Sequence, residues 1–157
     1  MSPVYPLTWS PLIKTGDYPH LAKHDAAVWE RFLDQYGGNF LGVAYDVALG
    51  GFLPDADLGP MQSRLGWQYS TALKIDVVLL RESEVWICEV KPSANVSALG
   101  AALCYTVLAE RETLTTLPML PVVITERASP DIKYGAERLG VTLVELPEPS
   151  TPLPGPA

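Results

Sequence analysis

Residues 72–91 read ALKIDVVLLRESEVWICEVK, and this stretch decides the fold. It predicts two strands, Ala72–Leu80 and Val85–Lys91, because each run is apolar and rich in β-branched residues. The polar segment Arg81–Glu84 separates the runs, so the pair is typical of a β-hairpin. A nearly continuous apolar run also indicates a strand that is covered on both faces.

Three charged residues interrupt these apolar runs, namely Asp76 in the first strand and Glu89 and Lys91 in the second. Side chains alternate between the faces of a strand, so Glu89 and Lys91 share one face of theirs. Burying an unpaired carboxylate costs on the order of several kcal/mol. Two carboxylates and an ammonium gathered in a core therefore indicate a functional site, and the function that we expect is the binding of a divalent cation.

The same alternation sorts the neighbouring apolar residues. In the first strand it predicts one face with Lys74, Asp76 and Val78 and an opposite face with Ile75, Val77 and Leu79. In the second strand it predicts one face with Ile87, Glu89 and Lys91 and an opposite face with Trp86, Cys88 and Val90. We expect Trp86 and Val90 to face a layer of helices.

Composition limits the classes of protein that fit. At 157 residues and 48% hydrophobic content, the chain is long enough for one domain with its own core. The net charge of −7 argues against loose, non-specific binding to nucleic acid, which needs a basic surface. No apolar run is long enough to span a bilayer and no secretory signal is visible. We therefore expect a cytoplasmic protein, or a virion-associated one if it is encoded by a phage, with Cys88 and Cys104 as buried thiols.

The remaining sequence predicts an alternation of helices and strands between two proline-rich arms, residues 1–20 and 147–157, around a single domain at residues 21–146. The expected helices are His24–Tyr36, Asn95–Glu110 and Pro130–Leu139, and the further strands are Phe40–Leu49, Leu120–Thr125 and Val141–Leu146. Residues 50–69 are rich in Gly and Pro and predict a long loop. The fold class is therefore α/β, with a mixed sheet sandwiched by helices.

Asp76 followed thirteen positions later by Glu89-Val90-Lys91, and then by an Ala-rich helix and a buried strand, resembles the PD-(D/E)xK nuclease superfamily. That superfamily includes restriction endonucleases and Holliday-junction resolvases. The resemblance covers about Ala22–Leu146 and implies a restriction-endonuclease-like α-β-β-β-α-β core that hydrolyses phosphodiester bonds in DNA. Many members also carry a glutamate on the first helix, a position that Glu30 resembles; the alternative is a surface Glu paired with a neighbouring cation.

The resemblance implies a hydrolysis reaction that uses Mg²⁺, with Mn²⁺ as a substitute. Phosphodiester hydrolysis needs a cation that polarises a phosphoryl oxygen and supplies hydroxide near neutral pH, and Mg²⁺ prefers oxygen ligands. The resemblance implies that Asp76, Glu89 and the Val90 carbonyl bind the cation. Lys91 would orient or deprotonate the attacking water or neutralise the phosphate.

Three further residues are candidate substrate contacts, Lys74 on the Asp76 face, Arg64 in the long loop and Tyr105 on the helix after Lys91. Many relatives carry a polar residue on that helix, where this chain offers small residues and Tyr105. Two other functions stay open. One is a catalytically inactive nuclease-like domain used as a structural or docking module, for example in a phage particle or packaging assembly. The other is a generic α/β binding domain. The proline-rich arms would serve docking to a larger assembly or homodimerisation.

Overall fold

A five-stranded mixed sheet forms the centre of the protein. The computed structural model describes residues 5–146. The strands are β1 (Gly42–Leu49), β2 (Leu73–Leu80), β3 (Val85–Ser93), β4 (Met119–Arg127) and β5 (Thr142–Glu145). The helices in that range are α1 (Lys23–Tyr36), α2 (Met61–Thr71), α3 (Val96–Arg111) and α4 (Pro130–Leu139), with short 3-10 turns at Gly37–Asn39 and Ala56–Leu58.

The strands lie in the sheet in the order in which they occur in the chain. β1, β2 and β3 are antiparallel neighbours, whereas β4 and β5 run parallel to β3. The predicted hairpin between β2 and β3 is confirmed, and its turn is closed by a hydrogen bond from the Arg81 N–H to the Glu84 carbonyl oxygen at 2.9 Å. The α/β fold with a mixed sheet between helices is therefore the one that the sequence predicts.

The two faces of the sheet have different helical covers. Val28, Trp29 and Phe32 of α1 are at most 1% exposed and form one core with apolar residues of β1 to β4, against which Trp86 also packs. Val90 belongs to this core, so Trp86 and Val90 do face a helix layer. Small residues of α3 and α4 pack on the opposite face, over Val123 of β4. Asn95 caps α3 by accepting a hydrogen bond from the Ala98 N–H at 2.8 Å.

One expectation about side-chain faces and one about burial are wrong. Ile75 packs with Val78 in the core on the second face, whereas Val77 lies in the α1 core. The ladder between β1 and β2 is interrupted at the same place, where Asp46 lies opposite Asp76 and has a left-handed backbone with φ 51°. Cys104, which we expected to be buried, lies on an exposed part of α3, while Cys88 is buried as expected, and both are free thiols.

The long loop expected at residues 50–69 is also wrong, because α2 occupies most of its second half. Pro60 stands immediately before the first turn, where its lack of an N–H costs nothing. The helix was hidden from sequence patterns because it buries a single residue, Gln68, and so shows no clear apolar stripe. Arg64 therefore lies on a helix and not in a loop.

The N-terminal arm packs against the edge of the sheet. Ser10 and Val43 exchange two backbone hydrogen bonds of 2.8 and 3.0 Å, which places the arm beside β1. Tyr18 is 3% exposed and joins the α1 core. The tail predicted at residues 147–157 lies outside the described residues. Within residues 5–146, no helix is both long enough and apolar enough to cross a membrane.

Candidate active site

Asp76 and Glu89 face each other where the ladder between β2 and β3 ends. The last register pair is Val77 with Cys88, so the next positions along the two strands are Asp76 and Glu89. A hydrogen bond from the Val90 N–H to Asp76 Oδ2, 3.1 Å long, takes the place of the next backbone bond. The site is therefore built into the sheet, on two strands whose positions the core fixes.

Asp76 and Glu89 lie close together, and among residues 5–146 no cation forms an ion pair with either carboxylate. Burial, the nearby charge of Asp76 and a side-chain hydrogen bond with Asp76 raise the pKa of Glu89 to about 7. Burial also raises the pKa of Asp76, although the Val90 N–H partly offsets this by stabilising the charged form. Like charges directly opposite each other on neighbouring strands are destabilising, so the pair shares a proton at neutral pH more readily than ordinary carboxyls do.

Lys91 lies near the acids but does not contact them. Its positive charge lowers the pKa of both Asp76 and Glu89, yet among residues 5–146 no ion pair joins it to either carboxylate. Lys91 is half-buried, and its strand continues two residues beyond it, to Ser93. An ammonium in this position is available to a bound substrate or water.

A third carboxylate, Asp25, comes from the first turn of α1 and was missed by sequence analysis. Burial raises its pKa, and the charge of Lys91 opposes that shift. Its negative charge in turn raises the pKa of Asp76 and of Glu89, so the three acids and Lys91 form one electrostatic group. The available signal was an acidic residue in the first turn of a helix, which is also a common capping feature and does not by itself indicate a site.

Glu30, which we expected on this helix, has a different partner. Its Oε1 accepts a hydrogen bond of 3.1 Å from the Tyr18 hydroxyl. Together with Tyr18 and residues of the arm it lines a separate cleft of about 350 Å³. The carboxylate that α1 brings to the acidic pair is therefore Asp25, five residues earlier in the helix.

The three expected substrate contacts fall in different places. Tyr105 lies near the acids. Burial raises the pKa of its phenol, and the charges of Glu89 and Asp76 add to that shift. Lys74 donates hydrogen bonds to the backbone carbonyls of Tyr69 and Ala72, at 2.6 and 3.2 Å. Arg64 Nε donates to the Pro54 carbonyl at 2.7 Å. Lys74 and Arg64 thus hold α2 in place, and of the three only Tyr105 adjoins the acidic group.

A polar cluster beside Asp76 was also missed. Asp46 lies opposite Asp76 in the register of β1 and β2, and its Oδ2 accepts a hydrogen bond of 2.9 Å from the Tyr69 hydroxyl. His20 Nδ1 lies 3.3 Å from Asp46 Oδ1, and the charge of His20 lowers the pKa of Asp76. Both His20 and Asp46 have left-handed backbones, at φ 68° and 51°, which non-glycine residues rarely adopt. The signal available in the sequence was Asp46 itself, an acid that interrupts an apolar strand as Asp76 does.

The donor set determines whether Mg²⁺ or Mn²⁺ fits. Within residues 5–146, no three His, Cys, Asp or Glu side chains are close enough to enclose a metal ion. Asp76 and Glu89 supply two carboxylates, and the Val90 carbonyl points to the same side of β3 as its N–H, towards Asp76. Mg²⁺ is commonly bound through one or two carboxylates together with waters and substrate phosphates. The residues present therefore fit an open site of that kind and do not form a closed cage.

Comparisons with known proteins do not identify a function for this chain. No protein-family model matches the chain, and no curated protein is significantly similar to it. One solved structure with a similar course of the chain is described as "Crystal Structure of Protein of Unknown Function AF1548". It shares 19% sequence identity with this chain, at a TM-score of 0.45, and the match covers 81% of this chain and 60% of that one. This chain thus spans less than two thirds of that neighbour's length.

Proposed function

We propose that this protein is a metal-dependent nuclease that hydrolyses phosphodiester bonds in DNA, with its reaction centre at Asp76, Glu89 and Lys91. The observation that carries the proposal is the direct opposition of Asp76 and Glu89 at the end of the β2–β3 ladder, where the pKa of both acids is raised. When both acids are ionised they repel each other, and a divalent cation between them would remove that repulsion. The resemblance to PD-(D/E)xK nucleases supports the same assignment.

Each residue has a separate part in the proposed reaction. Asp76, Glu89 and the Val90 carbonyl would hold Mg²⁺, which when bound polarises the phosphate and lowers the pKa of a water. The Val90 N–H fixes the direction of the Asp76 carboxylate through the bond to Oδ2. Lys91, which has no ion-pair partner among the described residues, would orient the attacking water or balance charge on the phosphate. Tyr105 lies beside the acids, where its hydroxyl would contact the substrate.

The test is cleavage of linear, circular, branched and single-stranded DNA, and of RNA, with Mg²⁺ or Mn²⁺. We expect wild-type protein to cleave at least one of the DNA substrates and Asp76→Asn to lower the rate at least about 100-fold, the scale for loss of an electrostatic group at a reaction centre. The matched control is Glu82→Gln, which removes an acid from the exposed β2–β3 turn. Equal rates in wild type and Asp76→Asn would refute the assignment, and cleavage of RNA alone would refute its DNA substrate.

A second candidate function is a nuclease-like docking module without activity. The observation in its favour is that, among residues 5–146, the acids do not enclose a metal site, in a protein of net charge −7. Calorimetric titration separates the two functions. Binding of Mn²⁺ that is lost in Glu89→Gln and kept in Glu82→Gln supports the nuclease, while no binding by wild-type protein supports the docking module.

A further inference from the structure

A cleft of about 360 Å³ lies between α1 and the sheet, and four aromatic side chains line it. Phe32 and Phe40 are at most 9% exposed and form its closed side, while the half-buried Tyr36 and Trp86 stand beside them. The volume falls in the range of about 300–1,000 Å³ that is typical of ligand sites. We call this site the aromatic cleft; its other lining residues are Asn39, Arg81, Leu143, Val144 and Glu145.

The aromatic cleft has a fixed wall, because three of its residues are held together by contacts with one another and with Glu84. The Phe40 and Trp86 rings meet edge to face, with centroids 5.0 Å apart. The Arg81 guanidinium lies 5.8 and 5.7 Å from the centroids of the same two rings. Glu84 Oε1 accepts hydrogen bonds of 3.0 Å from Arg81 Nη1 and from Trp86 Nε1. A ligand would therefore meet a preorganised surface and would lose little affinity to ordering it.

The polar groups of the aromatic cleft favour a ligand that is rich in hydrogen-bond acceptors. The Arg81 guanidinium carries several N–H donors, the Asn39 side chain ends in an NH₂ group, and the Tyr36 hydroxyl has its own proton to donate. The acid of the lining, Glu145, is already paired with Lys133 at 2.9 Å. A proline-rich chain offers carbonyl oxygens but few N–H groups, and such chains dock in grooves lined by aromatic rings.

A segment of this composition begins beside the aromatic cleft. Residues 147–157 read PEPSTPLPGPA and contain five prolines, namely Pro147, Pro149, Pro152, Pro154 and Pro156. They follow Leu146, whose carbonyl oxygen accepts a hydrogen bond of 3.2 Å from Arg31, the residue before Phe32 on α1. Leu143–Glu145 of β5 line the cleft. The segment therefore starts beside α1 and β5, two of the elements that form the cleft.

The segment is long enough to cross the aromatic cleft. Glu145 is level with Lys91 of β3, and Trp86 precedes Lys91 on that strand. The span from Glu145 to Trp86 is thus about 17 Å along the strands and about 10 Å across them, or about 20 Å in all. In a polyproline II helix the segment covers about 34 Å, at about 3.1 Å per residue, which leaves several residues for the turn back over the cleft.

We propose that the aromatic cleft is the docking site of residues 147–157, which bind across it as an extended proline-rich strand. A short tether gives an effective concentration of about 1 mM, so a contact with a dissociation constant of about 100 µM would be about 90% formed. The proline-rich N-terminal arm is engaged elsewhere, because Ser10 pairs with Val43 at the opposite edge of the sheet. The proposal is independent of the nuclease, since its lining residues are separate from the proposed reaction centre.

The experiment is NMR spectroscopy of the full chain with ¹³C-labelled proline. We expect nuclear Overhauser effects between the prolines of residues 147–157 and the rings of Trp86 and Phe40, together with ring-current shifts of those proline signals. The docked fraction follows from the shifts. It should be about 90% and independent of protein concentration, because the contact forms within one chain.

A variant of the segment tests the contact without altering the residues that form the domain. The triple variant Pro149→Ser, Pro152→Ser, Pro154→Ser should weaken docking at least about 10-fold, which lowers the docked fraction from about 90% to about half or less. Ser150→Ala is the matched control, because it changes the same segment and keeps every proline, and it should leave the docked fraction unchanged.

A variant of the cleft tests the other side of the contact. Tyr36→Ser should lower the docked fraction to the same extent, with an unchanged circular dichroism spectrum. Its control is Tyr134→Ser, because Tyr134 is a 67% exposed tyrosine of α4 outside the cleft. If Tyr36→Ser alters the spectrum, the triple variant of the segment decides alone.

Three results would overturn the proposal. One is a wild-type protein whose prolines in residues 147–157 have random-coil shifts and no contact with the rings. Another is a docked fraction that the triple variant, or a correctly folded Tyr36→Ser, lowers no more than its control does. The third is a docked fraction that rises with protein concentration, which would assign the cleft to the same segment of a second copy.

Discussion

Two clusters of charge lie in this sheet, one around the buried Glu126 and one around the half-buried Asp76 and Glu89, and they are organised in opposite ways. At the end of β4, Glu126 is 9% exposed and is paired with Arg31 at 2.9 Å and Arg127 at 3.6 Å. At the end of the β2–β3 ladder, Asp76 and Glu89 face each other, and among the described residues no cation forms an ion pair with them. The acid at the end of β4 therefore has its countercharge in contact, whereas the facing acids at the end of the β2–β3 ladder do not.

This difference predicts that removing a charge changes the free energy of unfolding in opposite directions at the two clusters. Removing a cation from the first cluster should lower the free energy of unfolding, because a buried carboxylate loses its partner. Removing an acid from the second should raise it or leave it unchanged, because a repulsion disappears. The predictions below test these signs by chemical denaturation, from the largest expected effect on stability to the smallest.

The largest effect is expected for Arg31→Met. This change keeps the aliphatic stem and leaves Glu126 with only the longer contact to Arg127, so we expect a loss of about 3 kcal/mol in the free energy of unfolding. The control is Arg127→Met, since the Arg127 side chain is 69% exposed and an exposed pair contributes less than about 1 kcal/mol. Equal losses in the two variants would contradict the idea that contact and burial decide the effect.

The next largest effect on the free energy of unfolding is expected from the protonation of Glu89, which should make that free energy depend on pH. Its pKa is raised to about 7 in the folded protein, against roughly 4.3 in an unfolded chain. The folded state therefore binds this proton more tightly than the unfolded state does. Protonation of Glu89 stabilises the folded state fully below about pH 4.3, and this stabilisation is lost as the pH rises through about 7. Since the group is partly exposed, we expect a difference of about 1 to 2 kcal/mol.

Urea denaturation at about pH 5 and about pH 8 measures this effect as the difference between wild type and Glu89→Gln. The wild type should lose stability relative to the variant as the pH rises. Saturating Mn²⁺ should reduce that loss if the cation binds to the ionised pair. A pH dependence that is the same in the two proteins would show that Glu89 does not titrate in this range.

Asp76→Asn should have a smaller effect of the opposite sign from Arg31→Met. The amide oxygen can still accept the Val90 N–H bond, while the charge that repels Glu89 and Asp25 is gone. We expect the midpoint of thermal unfolding to stay unchanged or to rise, corresponding to at most about 1 kcal/mol. A clear fall in that midpoint would mean that Asp76 supports the fold and that its proposed role in metal binding needs another explanation.

The smallest effect on stability is expected for Lys91→Ala, because among the described residues Lys91 forms no ion pair with the acids. A loss below about 1 kcal/mol is the scale of charges that interact across solvent. If the protein is the proposed nuclease, the same variant should slow DNA cleavage at least about 100-fold. A destabilisation of about 3 kcal/mol or more would instead identify Lys91 as the structural countercharge of the acids and favour the docking module.

The sequence predicts the sheet and its helical covers well, and it predicts the site less completely. The β2–β3 hairpin and α3 carry strong local patterns, so the opposition of Asp76 and Glu89 follows from counting along two strands. Asp25 and Asp46 reach the same region through the packing of α1 and β1, and contacts between distant segments leave no local pattern. α2 was missed for a related reason, since a helix that buries one residue lacks the periodicity by which helices are recognised.

The course of the N-terminal arm bears on the solubility of the protein. A long unpaired strand at the margin of a sheet invites further strands to add, which is how aggregates grow. Residues 5–8 line a cleft with residues 44–48, and Ser10 pairs with Val43, so the arm lies along the outer side of β1. Pro6 and Pro11 give that arm two positions without an N–H donor, which makes it a poor template for the next strand. At the opposite edge of the sheet, β5 is only four residues long. Both edges of the sheet therefore offer little unpaired backbone to which a further strand could add.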